Sequence, residues 1–301
     1  MNLFACLRNS LVLLFLLISP FVQAADKGRL PLWEARNELG TIYLYGSVHV
    51  CNASCFPLPE AVISRLRASD TLVVELDPRA PALQEKLVAA AMLPPGQTLP
   101  QLMTTNDWRE LESAVRGLGV PPESLTQMRP WMAGTVLSLL IAQQNGLTPE
   151  SGIDVTLIAY ADKNKIQLEE LETLDEQITA MNAGTDREQR TMLRELATMV
   201  RQKKLAGLLK DIVEAWKTGD SLKLDRLMRV GMPAGSSMEK ALFTQRNARM
   251  AERIEAHMKQ DPRARFVVVG VGHLVGANSV PEILSKHGYS VRQISADDLA
   301  H

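Results

Sequence analysis

Three short runs of the chain are almost unbroken in β-branched, aromatic and aliphatic residues: 41–45 (Thr-Ile-Tyr-Leu-Tyr), 71–76 (Thr-Leu-Val-Val-Glu-Leu) and 265–269 (Arg-Phe-Val-Val-Val). Runs of this length and kind read as strands covered on both faces, the pattern of a sheet held between helices. Residues 32–36 pair with 41–45 as a hairpin across the turn-prone Asn37-Glu38-Leu39-Gly40, and weaker strand patterns lie at 165–171 and 289–294. Residues 58–68 carry Pro59 at a helix start and apolar Ala61, Val62 and Leu66, which completes a strand, helix, strand unit. The same order recurs as 265–269, a helix over 280–287 closed by Gly288, and 289–294. Two such units at opposite ends of a chain bury their faces by sharing one sheet. The expected fold is therefore α/β, with a parallel or mixed central sheet and flanking helices.

From about 81 to 259 helical periodicity dominates, punctuated by Pro94-Pro95-Gly96, Pro121-Pro122, Pro130 and Thr148-Pro149. This predicts a large, mostly helical insertion within one domain spanning 25–301, with 165–171 as its one candidate to rejoin the sheet. The apolar run 131–143 is too short to span a bilayer and reads as a buried helix. A long helix over 238–258 places Met238, Leu242, Arg246, Met250 and Ile254 on one stripe. An arginine on an apolar stripe either snorkels to water or meets an anion inside.

The first 24 residues change the compartment. Arg8, the apolar run 11–18, Pro20 and Val22-Gln23-Ala24 form a secretory signal cut near Ala24, so a periplasmic or secreted location with no stable membrane span after cleavage is expected. Cys6 leaves with that segment, and the surviving pair Cys51 and Cys55 reads as a disulfide in an oxidising compartment, with free thiols or metal ligation as alternatives. The formal net charge is −1 and the basic residues form no patch, which argues against nucleic acid and leaves a peptide or small-molecule substrate as the expected partner. The oligomeric state is open.

Candidate chemistry concentrates in two Gly-x-x-His segments, Gly46 to His49 and Gly270 to His273. Each follows a predicted strand, and Glu75 lies at the end of a third. In parallel sheets the C-terminal strand edge is where crossover loops open a crevice. Gly46, Gly270 and Gly272 are expected to let the backbone turn off the strands through conformations a Cβ would penalise. Two imidazoles and a carboxylate suffice for an open divalent metal site for Mn, Co or Zn, which acidifies water for hydrolysis. Asp77 is a candidate fourth ligand, base or acceptor that fixes an imidazole tautomer, Glu172 a candidate to support the site from behind, and Arg246 a candidate to bind a substrate carboxylate or an oxyanion. Asp154 reads as a first-turn carboxylate that favours its helix dipole. His257, His287 and His301 read as solvated. No zinc-peptidase helix motif, serine elbow or Walker loop is present.

Leu44-Tyr45-Gly46-Ser47-Val48-His49, Val73-Val74-Glu75-Leu76-Asp77, Ser151-Gly152-Ile153-Asp154, Leu171-Glu172-Thr173, Gln245-Arg246-Asn247 and Val269-Gly270-Val271-Gly272-His273 together resemble the TraB/GumN family, most closely its bacterial GumN-like branch. The resemblance covers nearly the whole mature chain. It implies kinship with the Tiki metalloproteases and, more distantly, with the erythromycin-esterase and ChaN-like group. It further implies a metal-dependent peptidase or hydrolase in which His49, His273 and Glu75 form the centre and Arg246 is the family's arginine.

The leading expectation is an exported metal-dependent hydrolase acting on peptide bonds. A metal-independent esterase-like hydrolase with His49 as general base, a non-catalytic haem- or metal-binding protein, and a closed structural zinc site from His49, Cys51, Cys55 and His273 are the alternatives.

Overall fold

The computed structural model describes residues 28–232, 235–260 and 265–298. The signal segment expected over 1–24 lies outside the described residues, as does His301.

One mixed sheet holds β1 (Arg29–Asn37), β2 (Gly40–Ser47), β3 (Thr71–Val74), β4 (Gln167–Glu170), β5 (Arg265–Gly270) and β6 (Ser290–Ser295) in the order β4-β3-β5-β2-β1-β6. β4, β3, β5 and β2 run parallel, while β1 lies antiparallel between β2 and β6. The unbroken valines of β5 sit at the centre, where Val267, Val268 and Val269 are buried. β1 and β2 form the expected hairpin, closing at Asn37 opposite Gly40.

Both strand, helix, strand units share this sheet, but neither joins adjacent strands. The helix Glu60–Arg67, seated on Ala61, Val62 and Leu66, carries the chain from β2 to β3, and β5 lies between those two strands. The helix Val280–Lys286 carries it from β5 to β6, beyond β2 and β1. Interposing β5 sets three C-terminal strand ends side by side: Ser47 pairs with Gly270, and Val74 with Val268. Residues 46–49, 75 and 270–273 therefore leave the sheet at one edge.

Between β3 and β5 the chain is helical except for β4. Helices including Thr105–Gly117, Pro130–Gln144 and Asp186–Arg201 enclose a second core around Leu111, Leu125, Leu137 and Leu193, distinct from that of the sheet. β4 is shorter than 165–171 because Lys165 caps the helix Ile153–Asn164 in the left-handed conformation, φ 59°. Among the described residues no helix is long and apolar enough to cross a membrane.

Two helices depart from their patterns. The run expected as one helix over 238–258 is a short turn Ser237–Glu239, a π-helical turn Lys240–Thr244 and the helix Gln245–Gln260. The wider turn shifts the phase, so Phe243 is buried and Leu242 half-buried, while Arg246, Met250 and Ile254 keep the inward face. The helix Pro130–Gln144, apolar around most of its circumference, is not covered all round: Thr135 is exposed and Ser138 and Leu139 are half-buried against a cavity.

Candidate functional site

At the shared strand edge Glu75, His49 and His273 gather around Gly270. A methyl group placed on Gly270 would stand 3.3 Å from Glu75 Oε1, 3.8 Å from His49 Nε2 and 3.8 Å from His273 Cδ2. His273 Nε2 lies 3.8 Å from Glu75 Oε1. The space is kept open by the missing Cβ. Left-handed backbone is not the reason for these glycines, contrary to expectation: Gly270 has φ −50°, and neither Gly46 nor Gly272 has a positive φ. Close approach is the reason. A Cβ on Gly46 would meet Val271 Cγ2 at 2.7 Å, and one on Gly272 would meet Phe243 Cε1 at 2.8 Å.

Each imidazole is held through Nδ1. His273 Nδ1 is 2.6 Å from Asn247 Oδ1, and the Asn247 amide donates to the Asn278 carbonyl at 2.8 Å, which fixes its oxygen toward the ring. His49 Nδ1 is 3.2 Å from Asp154 Oδ2. Both partners accept, so in the neutral ring Nδ1 carries the proton and Nε2 the lone pair. Burial pushes His273 down to about 4, and Phe243 packs on its ring at 5.5 Å between centroids. The His49 side chain is 70% exposed at the cavity wall, so its bond to Asp154 sets its direction, raising it to about 9.

Glu75 is bound on both oxygens. Oε1 accepts from the Gly270 N–H at 2.5 Å, and Oε2 accepts from Arg246 at 2.7 Å and from Gln177 at 3.2 Å. Burial works to raise this carboxyl, but the charges of His273, Arg246 and His49 and the Gly270 amide outweigh it and hold it at about 2. Arg246 meets an anion inside, but the anions are the protein's own: Nε donates to both Glu172 oxygens at 2.9 and 3.1 Å, and Nη2 to Glu172 Oε2 at 2.6 Å as well as to Glu75. In this arrangement the guanidinium positions Glu75. Glu172, its side chain wholly buried, reaches this place because the ladder continues past β4, with the Glu172 N–H donating to the Glu75 carbonyl at 3.0 Å. Asp77 faces elsewhere, its carboxylate bonded to Arg79 at 2.8 Å from both Nε and Nη2.

The loop bearing His49 is pinned from one side. Cys51 and Thr148 exchange backbone hydrogen bonds at 3.1 and 2.7 Å, and Cys51 is joined to Cys55 in a disulfide. The two sulfurs are thus spent, which removes the closed zinc site drawn from them. A Cβ on Gly152 would stand 2.7 Å from the His49 carbonyl, so only glycine lets the 148–153 loop come close enough to present Asp154. Asp154 lies in the first turn of the helix Ile153–Asn164, as read from sequence, and from there also holds His49. Asn247 and Gln177 carried no signal beyond their place in or near the motifs. His257 and His287, read as solvated, pair with Glu169 at 3.1 Å and Glu255 at 3.0 Å.

Among the described residues no three His, Cys, Asp or Glu side chains stand at metal-coordinating spacing. By chemistry alone, two imidazoles and a carboxylate are a donor set that divalent ions take. Each imidazole is backed by an acceptor on Nδ1, and the 3.8 Å between His273 Nε2 and Glu75 Oε1 compares with ~3.4 Å for donors bound tetrahedrally at ~2.1 Å. Asp154→Asn is expected to lower His49 from about 9 toward 6.5 in an NMR titration, because the ring loses its ionised partner.

The sheet order makes this an α/β protein in which two imidazoles and a carboxylate gather at three parallel strand ends. The chain belongs to the TraB/PrgY/gumN family, whose description matches residues 31–293. It is 27% identical over 256 residues to the uncharacterized protein YbaP of Escherichia coli strain K12, covering 80% of this chain and 87% of that protein. It is 25% identical over 300 residues to the metalloprotease TIKI2 of Danio rerio, covering 83% of this chain and 57% of that one. The metalloprotease TIKI1 of Danio rerio is 22% identical over 321 residues, with 90% and 64% covered. The chain thus spans less than two thirds of these Tiki proteins. No solved structure matches.

Proposed function

We propose that this chain is an exported, periplasmic or secreted, metal-dependent hydrolase acting on peptide bonds, with Mn, Co or Zn held by His49, His273 and Glu75. The observation that carries the reading is the convergence of His49 Nε2, His273 and Glu75 Oε1 on the hollow over Gly270. The names of the Tiki relatives as metalloproteases support it, and the disulfide fits an oxidising compartment. A divalent ion bound there supplies Lewis acidity toward a carbonyl and acidifies water. Asp154 and Asn247 fix the tautomers that turn Nε2 inward. Gly270, Arg246 and Gln177 hold the Glu75 carboxylate ionised and immobile. A peptide or small molecule is the partner, and no nucleic-acid or membrane contact is invoked.

The metal-free alternative asks His49 to be a general base. Either reading needs the Nε2 lone pair, and the names of the Tiki relatives as metalloproteases favour the metal one. The test is to load purified protein with each metal in turn and desalt it. Retention of a stoichiometric ion that His49→Ala abolishes, together with peptide hydrolysis lost on chelation, is the expected result. Equal behaviour of parent and variant removes the reading.

A further inference from the structure

Beside the cluster lies a cavity of about 580 Å³, within the usual range for small-ligand pockets. The His49 ring forms part of its wall, and most of the rest is apolar: Leu139, Met192, Leu196, Met199, Leu208 and Leu242 among others. It lies at the seam between the core of the sheet and that of the helical region, both of which pack on Leu209, another lining residue. The face of Pro130–Gln144 that packing leaves uncovered is the face that opens on it.

The wall decides what fits. It is built largely from the helices Pro130–Gln144, Asp186–Arg201 and Leu205–Lys217. In helix interiors the backbone N–H and C=O groups are bonded within the helix, so the three helices that make most of this wall offer an extended peptide no main-chain partners. A methylene chain carries no such groups. Methionine side chains adapt to its changing shape without a polar demand. Building on the hydrolase reading, we infer that the cavity receives the acyl chain of a lipid-modified substrate, the chain lying among the methionines and leucines and its carbonyl-linked head lying beside His49.

The test is calorimetric binding of N-acylglycinamides from acetyl to hexadecanoyl. These have neutral heads, which avoids repulsion from Glu195 in the wall. Affinity should rise by about two- to fourfold per methylene until the cavity is full, then level off. Ser138→Trp, which fills the cavity, and Leu139→Gln, which adds a polar group at a half-buried position, should each weaken dodecanoylglycinamide binding by at least about tenfold. If Ser138→Trp fails to fold, the chain-length series and Leu139→Gln decide. Affinity independent of chain length, unaltered binding by folded variants, or tighter binding of an unacylated Leu/Val heptapeptide would each overturn the inference. Chain-length-dependent binding by protein that hydrolyses nothing with any metal retains the acyl site and removes the hydrolase reading. Chelator-sensitive hydrolysis of unacylated peptides with a flat chain-length series does the reverse.

Discussion

Arg246→Met is expected to destabilise the protein by about 3–5 kcal/mol, because it strips the partner from two buried carboxylates while leaving their charge behind. Glu172 loses every one of its bonds from Nε and Nη2, and Glu75 loses the shorter of its two side-chain donors. The methionine stem keeps the inward packing of the helix Gln245–Gln260, so the loss is electrostatic rather than a cavity effect. Urea unfolding at neutral pH measures it. A change below about 1 kcal/mol would mean that the pair is not formed in solution.

The same variant carries a pH signature. Glu75 is depressed from 4.5 to about 2 in the folded protein, so its share of the stability is present above 4.5 and is lost as pH falls toward 2. Removing the Arg246 charge raises the Glu75 carboxyl. The variant should therefore lose less stability than the parent between pH 4.5 and 2, and the gap between their unfolding midpoints should narrow on acidification.

These two carboxylates also mark how far the sequence is legible. The strands declared themselves because β5 and β3 are continuous apolar runs, and a run of that kind has few other places to go. Placement of His49, Glu75 and His273 at strand ends followed from reading where those runs stop. What local pattern does not encode is that β5, drawn from the far end of the chain, lies between β2 and β3 and so brings the three ends together. The sheet order is a long-range choice.

The supporting groups were harder to read for a related reason. Asp154 has the same local signature whether it favours a helix dipole or holds an imidazole 105 residues away, and only the close packing of Gly152 on the His49 carbonyl separates the two. Arg246 was visible as an anomaly on an apolar stripe, yet its partner could be named only once the ladder beyond β4 put Glu172 beside Glu75. The interruption at Lys240–Thr244 has no apolar signature, since a π turn alters phase by one residue and leaves composition unchanged.

On the proposed metal-hydrolase reading, Glu75→Gln is expected to lower hydrolysis by at least about 100-fold, because it removes one of the three proposed donors rather than an outer-shell partner. The substitution is nearly isosteric, but an amide cannot satisfy its surroundings. Glu75 accepts on both oxygens, from the Gly270 N–H on one side and from Arg246 and Gln177 on the other. A glutamine amide turned either way sets an NH₂ against a donor, at a cost of about 1–3 kcal/mol. The activity assay is therefore run well below the variant's unfolding midpoint, with circular dichroism to confirm the folded fraction. Gln177→Ala is the control: it removes the longest of the three bonds to Glu75 and leaves its charge and its Arg246 contact in place, so only a modest loss is expected. If Glu75→Gln, fully folded, retains hydrolysis within a few-fold of the parent, the carboxylate lies outside the reaction. The convergence over Gly270 would then be a structural ion-pair network that happens to include two imidazoles.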